Sequence, residues 1–145
     1  MATFFKVFPG GTMWGNDNAG QGYDVVMLAQ DGPTRIDVDA TENRLVRPDH
    51  QAALQSLNEV GFRSAVSLFS TYGGRSADLE PWYKGGAINL DRNLRLQYLA
   101  GFGLNLYRSS DIYEDMLRYR KYPEDVFQIS EERREVLVKM MGIQK

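Results

Sequence analysis

Two carboxylates separated by one residue are weak candidates for a metal site in a chain where we otherwise expect none. Asp37 and Asp39 alternate with apolar residues, which predicts a short strand over residues 34–38. Side chains alternate across a strand, so both carboxylates would share a face, where they could bind a divalent cation or transfer protons. Glu42 follows closely. It favours the alternative that the acidic pair belongs to a solvated strand end.

The other polar residue types exclude several kinds of site. The chain has one histidine, His50, and no cysteine, so a two-histidine metal site and thiolate chemistry are both excluded within one chain. His50 is expected on the surface, in the first turn of a helix. No G-x-S-x-G motif is present. The glycine-rich segments FPGG, NAGQG, YGG, KGG and AGFG lack the spacing of a phosphate loop, so we expect turns there, with no catalytic residue and no cofactor.

Two polar segments leave alternatives open. Residues 118–122 (RYRKY) interleave cations with aromatic rings, a pattern that can stack on nucleic-acid bases, although flanking acidic residues favour a solvated helix end. Residues 89–93 (NLDRN) form a loop in which Asp91 would cap the next helix and pair with Arg92 or Arg95. A small enzyme or metal site built from this loop and the acidic pair is the weaker alternative.

Composition indicates an ordinary globular chain. Its 145 residues are 43% hydrophobic and 25% charged, with a net charge of −2. This length fits one domain with a real core, and this charge gives no field for nucleic acid. No apolar run approaches the roughly 20 residues of a membrane helix, and the N-terminus lacks a signal-peptide pattern. We expect no nucleic-acid partner, no direct membrane insertion and a cytoplasmic location, which includes the periphery of a membrane complex.

The N-terminal residues predict a helix end followed by a hairpin. A short helix over residues 2–8 would end at the Pro-Gly-Gly of residues 9–11, and a strand containing Trp14 would begin at Thr12. The segment NDNAGQG (16–22) has the residue types of a hairpin loop. The return strand, residues 23–30, is a nearly continuous apolar run, which predicts burial on both faces.

The rest of the chain predicts a helical tail. We expect an α+β fold in one domain, residues 1–145, with a hairpin segment of two or three strands over 1–40 and about five helices over 41–145. The helix signals are caps and stops at Pro48, Gly61, Ser64, Gly73-Gly74, Ser76, Asp91 or Asn93, Ser109 or Ser110, Pro123, Ser130 and Gly142.

Two runs resemble a known family. FFKVFPGGTMWGND followed by GYDVVMLAQ, and INLDRNLRLQYLAG at residues 88–101, are similar to the C-terminal part of spermidine synthase-like proteins (polyamine aminopropyltransferases), including versions fused to membrane segments. The resemblance implies the last helix end and hairpin of a Rossmann-like methyltransferase fold, and an Asn-x-Asp element at Asn89 and Asp91. The family's glycine-rich cofactor loop and catalytic aspartates precede its hairpin and have no counterpart here. Its Pro-Thr-Tyr-Pro-type segment is replaced by NDNAGQGYD.

Two functions follow as expectations. The first is a non-catalytic C-terminal module of a spermidine synthase-like protein, which packs or docks against the catalytic domain. The alternative is a stand-alone accessory subunit of a larger complex. Either requires a protein partner, because strand edges of a hairpin pair readily with another chain. The residues expected to carry structure or interaction are Trp14, Tyr23, Asn89, Asp91, Arg92 and Arg95.

Overall fold

The computed structural model describes residues 1–15, 24–93 and 109–143. Within them the chain has an α+β fold, with seven α-helices and two small sheets. The elements are α1 (Ala2–Val7), β1 (Thr12–Gly15), β2 (Val25–Leu28), β3 (Ile36–Asp37), α2 (Val38–Leu45), a 3-10 turn (Pro48–His50), α3 (Gln51–Glu59), α4 (Ala65–Phe69), β4 (Tyr72–Arg75), α5 (Ser76–Tyr83), α6 (Ser109–Leu117), β5 (Phe127–Gln128) and α7 (Glu131–Met141).

The main sheet is antiparallel, with strand order β2-β1-β4. In the hairpin, Trp14 of β1 lies opposite Val26 of β2. The third strand comes from residues for which the sequence predicted a helix stop. Gly73 and Gly74 lie inside β4, and a Cβ at Gly73 would come within 3.3 Å of the Met13 carbonyl oxygen, so glycine permits the close approach of β4 to β1.

Central strand β1 is buried on both sides, since consecutive residues of a strand point to opposite faces. On one face lies the Trp14 cluster, which consists of Trp14, Val38, Leu45, Ala65, Val66, Tyr72, Val126, Phe127, Leu137 and Met141. On the other lies the Met13 cluster, which consists of Phe5, Met13, Leu79 and Met116. The sheet therefore separates two apolar layers, and both are centred on β1.

Several predicted helix ends are confirmed. Ser64 and Ser67 form a reciprocal capping box at the start of α4. Gly142 ends α7 in the left-handed conformation, at φ 66°. α6 buries Met116 of the predicted apolar face, whereas Ile112 is half exposed. In α7, Leu137 and Met141 are buried, but Val136 and Met140 are half exposed and do not pack as expected.

The strand predicted over residues 34–38 is shorter than expected. β3 ends at Asp37, whose carboxylate accepts a hydrogen bond from the Ala40 N–H (2.7 Å) and so caps α2, a helix that the sequence analysis missed. β3 pairs in parallel with β5, which brings the start of α7 next to the start of α2. Asp37 and Asp39 therefore do not share a strand face: the first is a helix cap and the second lies in the first turn of α2.

Asp39 joins the start of α2 to the start of α7. Its carboxylate accepts hydrogen bonds from the Ser130 N–H (2.6 Å), the Ser130 hydroxyl (3.1 Å) and the Arg133 guanidinium. Ser130 is the N-cap residue of α7, as predicted, but its side chain bonds Asp39 and makes no cap hydrogen bond. The Arg133 hydrogen bond holds the pKa of Asp39 below its ordinary value.

We expect the Asp39 contacts to make stability depend on pH. A carboxylate with a lowered folded-state pKa stabilises the fold above its unfolded pKa of about 4 and loses that effect as pH falls further. The stability difference between wild type and Asp39→Asn, measured by urea unfolding, should stay constant from neutral pH down to about pH 5 and shrink below about pH 4. Arg133→Gln should show the same pattern. An unchanged difference at the lowest pH would mean that the ion pair does not stabilise the fold.

The helix expected after the 89–93 loop, the loop NDNAGQG, Tyr23 and Arg95 lie outside the described residues. The proposed capping of that helix by Asp91 or Asn93 and the pairing of Asp91 with Arg95 lie outside them for the same reason. No helix in the described part of the chain is long and apolar enough to cross a membrane.

Candidate docking site

The outer strand of the sheet leaves its apolar side chains in solvent. Val26, Met27 and Leu28 are 45%, 48% and 51% exposed. The expectation that this return strand is buried on both faces is therefore wrong for this chain alone. The cause is its position: within the described residues β2 pairs only with β1, so it lies at the sheet edge.

The exposed side chains lie on both faces of β2. Met27 is opposite Met13, on the face of the Met13 cluster, whereas Val26 is opposite Trp14, on the face of the Trp14 cluster. Only Val25 packs against a cluster, and it is partly buried there. A strand with apolar residues on both faces is typical of the interior of a covered sheet. β2 thus has the composition of a central strand and the position of an edge strand.

The edge also offers backbone hydrogen-bonding groups. In an antiparallel pair, alternate residues direct their N–H and C=O groups away from the partner strand. Natural sheets protect such edges with charged residues, proline or bulges. β2 has none of these within Val25–Leu28, whose residues are all aliphatic or methionine. The register shift between Met13 and Trp14 lies in the β1–β4 ladder, on the side of β1 away from β2. The edge is therefore suited to accept another strand.

A pocket of about 440 Å³ lies at the end of β2. Two turns form its walls, and its lining includes Val7, Phe8, Pro9, Gln30, Asp31 and Pro33. Each turn is held by a hydrogen bond: the Gly11 N–H donates to the Phe8 carbonyl (2.9 Å), and the Gln30 side-chain amide donates to the Pro33 carbonyl (2.8 Å). The pocket is preformed and continuous in sequence with the exposed strand.

Trp14 does not belong to this surface. It is 8% exposed, its Nε1 donates to the Thr12 hydroxyl (2.9 Å), and its ring lies 5.3 Å from that of Tyr72 in an edge-to-face arrangement. Trp14 therefore has a structural role, which is one of the two roles expected for it from the sequence. Of this cross-strand pair, the exposed residue is Val26.

The 89–93 loop is held together by Asn93. Its side-chain carbonyl accepts from the Leu90 N–H, and its amide donates to the Ile88 carbonyl, each at 2.9 Å. The Asn89 N–H donates to the Thr3 hydroxyl (2.9 Å), which ties the loop to α1. Asp91 and Arg92 are exposed. The loop is therefore tied to the N-terminal helix.

The cations of residues 118–122 do not form one basic surface. Arg118 pairs with Asp115 at 3.6 Å, whereas the partly buried Arg120 donates to the Tyr72 carbonyl (3.0 Å) and the Met141 carbonyl. Burial lowers the pKa of Arg120 and raises that of Tyr72. Arg120 thus connects β4 to the end of α7, a role that sequence reasoning missed because its partners are backbone carbonyls distant in sequence.

The acidic and histidine candidates make structural contacts with other residues of the chain. His50 lies 3.2 Å from Asp49, in the 3-10 turn, and the imidazole beside that carboxylate holds the pKa of Asp49 below the ordinary value. Asp37 and Asp39 are engaged as described above. Among residues 1–15, 24–93 and 109–143, no group of three or more histidine or acidic side chains could hold a metal ion.

Comparison with known proteins identifies no family for this chain. No family model, curated protein or solved structure matches the chain. Any function assigned to the surface must therefore rest on its own geometry and on the two sequence runs described above.

Proposed function

We propose that this chain is a non-catalytic docking module, the C-terminal part of a spermidine synthase-like protein, and that β2 adds to the edge of a partner domain's sheet. The observation that supports the proposal is the exposure of apolar side chains on both faces of β2. A partner that supplies only one more strand would leave these faces in water. The partner sheet must therefore carry packed layers on both sides, as the sheets of α/β domains do.

The energetics favour such an addition. Completing the burial of three half-exposed side chains is worth on the order of 1 kcal/mol each, and each new backbone hydrogen bond adds roughly 0.5–1.5 kcal/mol. Strand addition gives affinity through the main chain and specificity through alternate side chains. Here both sets of side chains contribute, because Val26, Met27 and Leu28 lie on both faces of β2 and are all about half exposed.

The two sequence runs indicate the kind of partner. FPGGTMWGN and GYDVVMLAQ resemble the closing hairpin of the spermidine synthase-like fold. A catalytic domain that lacks this hairpin would have an open sheet edge. In this proposal the partner domain binds the substrates, and the present chain completes its sheet.

We expect a charge on β2 to prevent docking. The probe is the catalytic domain of a spermidine synthase-like enzyme, truncated before its own final hairpin, and binding is measured by isothermal titration calorimetry. Wild type should bind, and Val26→Lys should weaken binding at least tenfold, because a cation would be buried between two apolar layers. Val46→Lys is the matched control, since Val46 is 62% exposed at the end of α2 and should bind as wild type does.

Two results would contradict the proposal. Failure of the wild-type chain to bind the truncated domain would remove the assignment to this family. Equal binding by Val26→Lys and wild type would show that β2 is not the interface. The DNA upstream of the Met1 codon separates the two expected functions: an in-frame glycine-rich βαβ segment supports the module, and a stop codon favours the accessory subunit.

A further inference from the structure

The exposed strand is bracketed by acidic residues. Asp24 precedes β2 and Asp31 follows it, and both are exposed. Asp31 lines the pocket at the end of the strand and forms no hydrogen bond or ion pair with any described residue. This arrangement bears on which strand can pair with β2, because like charges at the ends of a ladder repel and opposite charges attract.

A second copy of this chain is a poor partner for β2. Antiparallel pairing of β2 with its own copy would bring Asp24 of one copy towards Asp31 of the other at each end of the ladder. The pairing would join four carboxylates in two like-charged groups. The charges therefore select against self-association and favour a strand with cations near its ends.

The pocket at the end of β2 combines apolar side chains with one acidic group. Its walls include the apolar side chains of Val7 and Phe8, which are 63% and 44% exposed, and its acidic group is Asp31. A lysine or arginine side chain combines an apolar stem with a charged end. Its stem can cover Val7, its charge can pair with Asp31, and the Phe8 ring can lie against the cation.

We infer that this pocket anchors a lysine or arginine side chain at the end of the partner strand that pairs with β2. The inference rests on the proposed docking function and adds to it the chemistry of the partner. The strand itself supplies most of the binding through its backbone and apolar residues. The pocket sets which strand is accepted and in which register.

The test uses synthetic strand peptides with one apolar core and lysine, serine or glutamate at the ends. Binding to the full chain is measured by fluorescence anisotropy. Wild type should bind the lysine-ended peptide about threefold more tightly than the serine-ended one, the scale of an exposed ion pair, and the difference should diminish at high salt. Asp31→Asn should abolish this preference. Asp31→Lys should reverse it, so that the glutamate-ended peptide binds best.

Glu132→Lys is the matched charge reversal, because Glu132 is exposed on α7 and lines neither β2 nor the pocket. It should retain the wild-type preference. If all three peptides bind equally to wild type while Val26→Lys binds none, docking stands and the pocket inference is wrong. If no peptide binds while the truncated catalytic domain does, docking also stands and the pocket inference is wrong. If Val26→Lys binds the truncated catalytic domain as wild type does, the docking function itself fails. Concentration-dependent dimerisation that Val26→Lys abolishes would also overturn the inference, because β2 would then pair with its own copy.

Discussion

Replacing Trp14 by alanine should lower the free energy of unfolding by about 3–5 kcal/mol, the range for truncation of a buried large aromatic residue. Total stabilities of single domains are about 5–15 kcal/mol, so the variant should be close to unfolding. The loss has three sources in the structure. The indole is nearly buried, it contacts the rings of Tyr72, Phe69 and Phe127, and it donates a hydrogen bond to Thr12.

The position of Trp14 in the central strand prevents the structure from relaxing around the truncated side chain. β1 is held between β2 and β4, so the backbone cannot collapse into the cavity without breaking a ladder. Thr12, which is 1% exposed, would also lose the donor to its hydroxyl. Unfolding in urea, followed by far-ultraviolet circular dichroism, measures the loss directly. Trp14→Phe should cost less than Trp14→Ala, because a ring would remain against Tyr72.

Trp82→Ala is the control for removing a tryptophan. Trp82 is partly buried at the margin of the Met13 cluster, and its Nε1 donates to Asp115 (3.1 Å). We expect a loss of about 1–2 kcal/mol, within the common range for single substitutions. A Trp14→Ala loss no greater than that of Trp82→Ala would contradict the core assignment and leave Trp14 with the interaction role considered from the sequence.

Local signals made the hairpin predictable. The Pro-Gly-Gly turn at residues 9–11 and the capping serine Ser64 each act on residues only a few positions away. Their effects can therefore be deduced without the rest of the fold. β4 was not predictable in this way. Glycine is unfavourable in strands, and its presence in β4 is explained by the close contact of Gly73 with β1 and with Met116.

The candidate docking site was predictable in composition but not in position. The run from Val25 to Leu28 correctly indicated a strand, but its apolar residues, which predicted cover on both faces, are about half exposed. Whether that cover comes from this chain or from a partner depends on strand order, which no local pattern encodes. The same limit applied to Asp39: its nearest partners, Ser130 and Arg133, are more than ninety positions away, and pairing of β3 with β5 brings them together.

Gly74→Ala should be the second most destabilising change, with a loss of about 2–4 kcal/mol. Gly74 lies in β4 at φ 138°, a conformation that costs a residue with a side chain roughly 1–3 kcal/mol. Its Cβ would also lie 2.8 Å from Cγ of Leu79, which is fully buried. Overpacking of this kind typically costs a further 1–3 kcal/mol.

Gly85→Ala separates these two contributions. Gly85 has φ 83°, but a Cβ there would meet no atom within 4 Å, so alanine should cost only the backbone strain. The difference between the two variants in urea unfolding therefore measures the contact with Leu79. Adding Leu79→Ala to Gly74→Ala should produce less than the sum of the two single losses, because the truncation removes the clash. Additive losses, or equal losses for Gly74→Ala and Gly85→Ala, would show that β4 does not press against Leu79, and that the packing of α5 on the sheet does not require glycine at this position.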